Sequence, residues 1–239
     1  MNGSVKMLEG YNFKTEFHAH TNPASSCSDF TPEEVVKRYA DIGYDSIVIC
    51  NHFHSGMRNF GEKETALKLY FEDIKKAAEA GEKYGINVIT GCEIRFAENS
   101  NDYLLFGVDE EVITNAYDYI EKGLEEFSKW FRSEDRLLIQ AHPFRNGMEG
   151  VDPALLDGIE SFNMHPGHNS RVAFSAKHAA EHNFLVTAGT DFHHENHQGM
   201  IAVLSKKELK TSADIVKLLK SKDYLFEIGN SIVLPYGLL

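Results

Sequence analysis

The feature that most constrains this chain is an alternation. Short runs of β-branched and apolar residues are each followed by a longer segment of helical period, along most of the 239 residues. The first run is Phe13 to Thr21. Thr31-Pro32-Glu33-Glu34 then reads as a helix start, with Thr31 as N-cap and Glu34 closing a capping box. Val35, Val36, Tyr39 and Ile42 give that helix an apolar face, and Gly43 ends it. Further strands are predicted at Ser46–Cys50, Asn87–Ile94, Tyr103–Val108, Leu137–Ala141, Gly158–Asn163, Leu185–Ala188, Met200–Leu204 and Tyr224–Ile228. Helices are predicted through Leu67 to Ala78 with a stop at Gly85, from Ile113 to Phe127, and at Ser170–His182 and Thr211–Ser221. Strand–helix alternation implies parallel pairing. Without a Pro/Gly-rich linker or an internal repeat, it predicts a single-domain α/β barrel over residues 1–239. The alternative is an open doubly wound sheet, but no G-x-G-x-x-G follows the first strand.

Composition narrows the function. Lys plus Arg is 24 and Asp plus Glu is 36, a formal charge of −12, which argues against general nucleic-acid or anionic-membrane binding. No apolar run is long enough to span a membrane, and the first residues lack a signal-peptide core, so a cytoplasmic location is expected. Cys27, Cys50 and Cys92 show no C-x-x-C spacing and read as small buried hydrophobes. The signal that points further is the 12 His.

Those His recur where the predicted strands end, together with Asp and Glu. Run one ends Phe17-His18-Ala19-His20, and run two ends Cys50-Asn51-His52. Run three carries Gly91-Cys92-Glu93, and a later one ends Gln140-Ala141-His142-Pro143. Glu160, Asn163 and His165 follow, then Asp191-Phe192-His193-His194. In a strand, residues i and i+2 point the same way, so His18 pairs with His20 and Asp191 with His193. A parallel barrel places its active site at the C-terminal strand ends. Imidazole and carboxylate donors together suit Zn, Mn or Fe.

Read in order, His18/His20, Asp29, His52, Glu93, His142/Pro143 and Asp191/His193 resemble the PHP family, the polymerase and histidinol phosphatase domain. The resemblance runs from residue 18 to 193 and implies a distorted (β/α)7 TIM-like barrel. It also implies two or three divalent transition-metal ions (Zn, Mn or Fe) and hydrolysis of a phosphate ester. By this likeness His18, His20, Glu93 and Asp191 hold one ion. Asp29, His52 and His193 hold another, and Glu93 and His142 contribute to a third position. The ions would generate a hydroxide near neutral pH and polarise the phosphoryl oxygens. Two departures stand out. Asn51 precedes His52 where the family usually has Asp. Residues 101–107 supply no His where trinuclear members often do, which leaves room for another group such as His165.

The implied partner is a small phosphorylated substrate, monoester or diester. Arg145 and Arg171, with Arg58 as a weaker candidate, are the expected phosphate-binding residues. His165 and His194 are the expected proton donors to the leaving group. Two other functions fit the same metals: an amidohydrolase-type C–N or C–O hydrolase, which would normally call for a modified bridging Lys, and a non-catalytic metal-stabilised module. His178-Ala179-Ala180-Glu181-His182 matches the inverted zinc-protease pattern, but it falls on a helix expected between barrel strands, away from the mouth.

Overall fold

The computed structural model describes residues 9–236 of the chain, without the side chains of Arg58 and Phe60. The first strands are β1 (Phe13–Ala19), β2 (Ser46–Ile49), β3 (His52–Phe53), β4 (Asn87–Thr90), β5 (Cys92–Arg95) and β6 (Asp102–Phe106). They are followed by β7 (Leu137–Gln140), β8 (Gly158–Asn163), β9 (Leu185–Gly189), β10 (Ala202–Ser205), β11 (Leu225–Ile228) and β12 (Ser231–Val233). These form two six-stranded sheets, in the orders β12-β11-β10-β1-β2-β4 and β3-β5-β6-β7-β8-β9. Two stretches of chain pass from the first sheet into the second: β2 runs into β3 across Cys50-Asn51, and β4 into β5 across Gly91.

The architecture is mixed α/β, and the two sheets are not the closed parallel barrel expected from the strand–helix alternation. Pairings β1–β2, β2–β4, β3–β5, β7–β8 and β8–β9 are parallel. Pairings β1–β10, β10–β11, β11–β12, β5–β6 and β6–β7 are antiparallel. For two of the antiparallel pairs, β5–β6 and β11–β12, the reason is connection length. A parallel return needs a dozen or more residues, usually a helix. Only residues 96–101 join β5 to β6, and only Gly229-Asn230 join β11 to β12.

The helices are α1 (Pro32–Asp41), α2 (Lys63–Tyr84), α3 (Glu110–Ala116), α4 (Leu124–Phe131), α5 (Val172–His182) and α6 (Ser212–Ser221). The capping box at Thr31 and Glu34 forms as the sequence predicts. The single helix expected from Ile113 to Phe127 is split. Its middle is a 3-10 turn, and Gly123 at φ 85° breaks the path before α4, a conformation costly for a residue with a Cβ.

Strand β2 shows why Ile47, Val48 and Ile49 are apolar in succession: the strand is buried on both faces. Val48 packs in the larger core with Phe17, Phe53, Ile94, Leu104 and Phe106. Ile47 and Ile49 pack on the other side with Val35, Val36, Tyr39 and Ala77 of α1 and α2. Among the described residues, no helix is long and apolar enough to cross a membrane.

Candidate metal centre

The last residues of β1 and the segment after β9 lie side by side. Ala19 and Phe192 form a parallel bridge. Phe192 N–H donates to the His18 carbonyl at 3.1 Å, and His20 N–H donates to the Phe192 carbonyl at 3.1 Å. With Ala19 and Phe192 paired, the flanking residues His18, His20, Asp191 and His193 share the opposite face. The β1–β2 register slips between Glu16 and Ala19, and the β8–β9 register slips between Glu160 and Phe162. Such slips re-aim side chains and are common beside functional sites. His142 at φ 31° and Asp191 at φ 56° hold left-handed backbone that few non-glycine residues adopt.

Glu93 is the hub. Its Oε1 lies 3.3 Å from His18 Nε2 and 3.2 Å from His142 Nε2. Its Oε2 lies 3.4 Å from His20 Nε2 and 2.7 Å from His52 Nδ1. Asp191 Oδ1 lies 3.5 Å from His18 Nε2 and 3.2 Å from His20 Nε2. His193 Nε2 and His52 Nε2 are 3.4 Å apart. Three groups of ligand atoms result, each within 4.8 Å of one another: His18/His20/Asp191, His20/His52/His193 and Glu93/Asp102/His142.

The far side of three of the rings is fixed. His18 Nδ1 meets Glu160 Oε1 at 2.9 Å, His193 Nδ1 meets the Asp191 carbonyl at 2.9 Å, and His20 Nδ1 meets Ser25 Oγ at 3.2 Å. Carboxylate and carbonyl oxygens only accept, so the protons of His18 and His193 sit on Nδ1 and Nε2 is free to ligate. Glu160 is itself held by His142 N–H and Asn163 Nδ2, each at 3.0 Å. Glu16, fully buried, accepts from His18 N–H, Thr190 N–H and Tyr39 O–H, each at 2.9 Å.

Electrostatics agree with a cation site. Burial alone would lower the His18 pKa, but Glu160, Glu93 and Asp191 outweigh it and hold it well above the ordinary histidine value. His52 is likewise pushed up to about 10: burial opposes, Glu93 prevails. Burial, then His193 and His52, drives His20 well below its ordinary value. Glu93 and Asp191 are held well below the carboxylate range despite burial, chiefly by His18. His18 Nε2, His20 Nε2 and Glu93 Oε2 are buried without a hydrogen-bond partner. Nitrogen and oxygen donors converging with such atoms fit divalent ions of the Zn, Mn or Fe type.

Seven of the eight expected ligands therefore converge. Asp29 does not: it is exposed, and its carboxylate turns to His194 Nδ1 at 2.9 Å. Asn51 lies behind the site. It accepts from Thr21 N–H at 2.7 Å and donates to Thr21 Oγ1 at 2.8 Å and Asp73 Oδ2 at 3.3 Å. Asp73 of α2 also accepts from Thr21 O–H at 2.6 Å.

The substrate candidates separate. Arg145 is at the site, but its guanidinium Nη2 donates to Asp191 and to Asn163 Oδ1 at 3.0 Å, while Nε is buried without a partner. Arg171 is exposed and committed elsewhere, to the Phe144 carbonyl and Asn146 Oδ1, each at 2.5 Å. The Arg58 side chain lies outside the described residues. His165 does not join Glu93 and His142. It packs beside His193 with ring centroids 5.9 Å apart, and beside His168 at 4.4 Å. Burial is the first cause that lowers its pKa, to about 3. His178 and His182 pair on α5 against Phe184, apart from the cluster.

Two contributors, Asp102 and Cys27, are not legible in the strand-end pattern, and Glu160, which is in it, has a different role. Asp102 reaches His142 Nε2 at 3.8 Å from the segment that lacks the family's His, and Arg95 grips it through two 2.7 Å bonds. Its signal was its place at the start of the strand after Glu93. Glu160 acts on His18 rather than as a ligand. Cys27, unlike buried Cys50 and Cys92, is exposed. It lines a cavity of about 360 Å3 with Ser25, Ser26, His52, His54 and Arg95. Burial raises the Cys27 pKa, but His193 and His52 outweigh it and bring the thiol down to about 6.

A family model for the PHP domain matches residues 16–231, so the chain belongs to the PHP domain family. Among curated protein sequences none matches the chain. Solved structures share the fold at low identity. One is a two-domain protein from Bacteroides vulgatus containing a predicted PHP-like metal-dependent phosphoesterase, at 16% identity and a TM-score of 0.61. That match covers 90% of this chain and 64% of the other, so this chain spans less than two thirds of that relative. PsfC from Pseudomonas syringae matches at 14% identity and a TM-score of 0.60, over 85% of this chain and 87% of that one. An amidohydrolase from Chromobacterium violaceum, solved with bound sulfate, matches at 15% identity and a TM-score of 0.51, over 76% and 88%.

Proposed function

We propose that this chain is a metal-dependent phosphoesterase acting on a small phosphorylated molecule, built as one domain on the distorted (β/α)7 plan of its family. The observation that carries the reading is the convergence of His18, His20, His52, Glu93, His142, Asp191 and His193 from separate strand ends into one buried donor cluster beside an open cavity. His18, His20 and Asp191 would hold one ion and His52 and His193 a second, with Glu93 beside both groups. When bound, two such ions lower the pKa of a water molecule and polarise a phosphoryl oxygen.

The chain's own residues supply the rest. Glu160 and the Asp191 carbonyl fix the imidazole tautomers, so the ligating nitrogens are pre-aimed. Arg145 holds Asp191 in place. His165 Nδ1 accepts from Gly167 N–H at 3.0 Å, which puts the ring proton on Nε2 and makes it a donor. His194, held by Asp29 at the rim, is the proton source for a leaving alkoxide. A cytoplasmic location remains part of this reading.

The test is a panel of phosphomonoesters and phosphodiesters, with amide and lactone substrates alongside, assayed with Zn, Mn or Fe and again after chelation. Metal-dependent release of phosphate or of an alcohol from at least one ester supports the reading. Turnover confined to amides or lactones would replace it with an amidohydrolase-type function. Metal uptake with no turnover of any substrate would leave a structural metal module.

A further inference from the structure

In this chain the loop between His20 and α1 does not present its carboxylate to the metal cluster. Asp29 faces His194, on the outside. The side chain from the same loop that stands beside the cluster is Cys27, which shares a cavity wall with His52 and whose thiol His193 and His52 bring down to about 6 against the effect of burial. The loop is anchored so as to hold it there. Asp29 N–H donates to the His193 carbonyl at 2.9 Å, Ser28 Oγ donates to the His20 carbonyl at 3.1 Å, and Ser25 Oγ donates to Asn51 Oδ1 at 3.0 Å.

A second observation points independently to a ligand at this place. His20 is fully buried, and its Nε2 has no hydrogen-bond partner. That atom belongs to two donor groups, one with His18 and Asp191 and one with His52 and His193, in each of which the ligand atoms lie within 4.8 Å of one another. His52 Nε2 and His193 Nε2 face each other at 3.4 Å within this group.

We propose that Cys27 is a thiolate ligand of the ion held by His52 and His193, in the place where the family resemblance puts Asp29. The inference rests on the metal-centre reading above. On binding, the thiol loses its proton to solvent and the sulfur donates a lone pair, with no change of oxidation state. A thiolate with imidazoles is a softer donor set than carboxylate with imidazoles, so this position should favour Zn over Mn. Cys27 lies at the cavity wall, so the same ion faces the space where a substrate would enter.

The test uses Co2+ as a spectroscopic probe in the full chain, with metal content measured in parallel. A thiolate ligand gives a near-ultraviolet sulfur-to-cobalt charge-transfer band. The wild type should show the band. Cys27→Ala and Cys27→Ser should lose it together with one bound ion, while circular dichroism stays native. Asp29→Ala should keep both the band and the ion. Three results would overturn the proposal: ions bound without the band in the wild type, a band that survives Cys27→Ser, or loss of the ion on Asp29→Ala but not on Cys27→Ala. The metal-centre reading would survive each of these. A wild type that binds no ion at all would sink both.

Discussion

At the residue scale, Glu93 differs from every other carboxylate of the site because both of its oxygens face imidazole nitrogens. Oε1 faces His18 and His142, and Oε2 faces His20 and His52. A carboxylate so placed can serve two ions at once, and a neutral amide cannot. Glu93→Gln should therefore lower metal content and turnover together, read by elemental analysis and by the esterase assay on the same preparation. Full metal content with full turnover would remove Glu93 from the centre. Arg145 makes a different prediction. The sequence marks it only as a phosphate binder, but its contact with Asp191 also makes it a positioning residue. Arg145→Ala should weaken metal affinity by about 10–100-fold, the usual effect of removing a group that orients a ligand. Arg145→Lys should recover part of it, because charge returns without the planar fork. Unchanged affinity in Arg145→Ala would confine its role to the substrate. His18, His20, His52, His142, Asp191 and His193 were legible because each sits at or just after an apolar run. Asp29 and Cys27 were not, because which of two neighbours in one loop turns inward is decided by loop anchors such as Ser28 that carry no periodic signal.

At the element scale, the site depends on how closely β1 and β9 approach. A Cβ added at Gly189 would stand 2.4 Å from His18 Cβ, 3.1 Å from His18 N and 2.9 Å from Glu160 Oε1. Atoms of β1 itself, not only a flexible tip, would have to move. Gly189→Ala should cost roughly 1–3 kcal/mol by overpacking and displace His18 from its ligating position. A calorimetric melt and a metal analysis would both register it. Gly150→Ala, where a Cβ meets nothing within 4 Å, is the control and should change neither. If Gly189→Ala behaves like Gly150→Ala, the two strands have slack and the ligand geometry is not set by their contact. Most elements were readable: β8 has the predicted ends, and α2 stops at Gly85 as expected. What was not readable was pairing direction. Apolar runs look the same in either direction, and the antiparallel placement of β6 shows only in the short link behind it. The two-residue β3 is too brief to carry a period at all.

At the scale of the whole molecule, the donor cluster ties the two sheets together. His18 belongs to β1 of the first sheet, while His52 and Glu93 belong to β3 and β5 of the second, and Asp191 and His193 follow β9. Ions bound there would cross-link segments that are far apart in the chain, and an unfolded chain offers no preformed site for them. Binding free energy then becomes folding free energy. At free metal about 100 times its Kd, one such site adds about 2.7 kcal/mol. For a chain of this size, 1 kcal/mol moves the melting midpoint by roughly 2–4 °C. The metal-loaded protein should therefore melt roughly 5–11 °C above the chelated protein for each site filled, by the same arithmetic. Glu93→Gln should show a smaller difference, since it removes the group shared between ions. The measurement is a pair of thermal melts, with and without chelator, for wild type and variant. Equal midpoints in the wild type, with bound metal confirmed, would mean that the ions do not clamp the sheets. The cluster would then be a catalytic device laid on a fold that is stable without it.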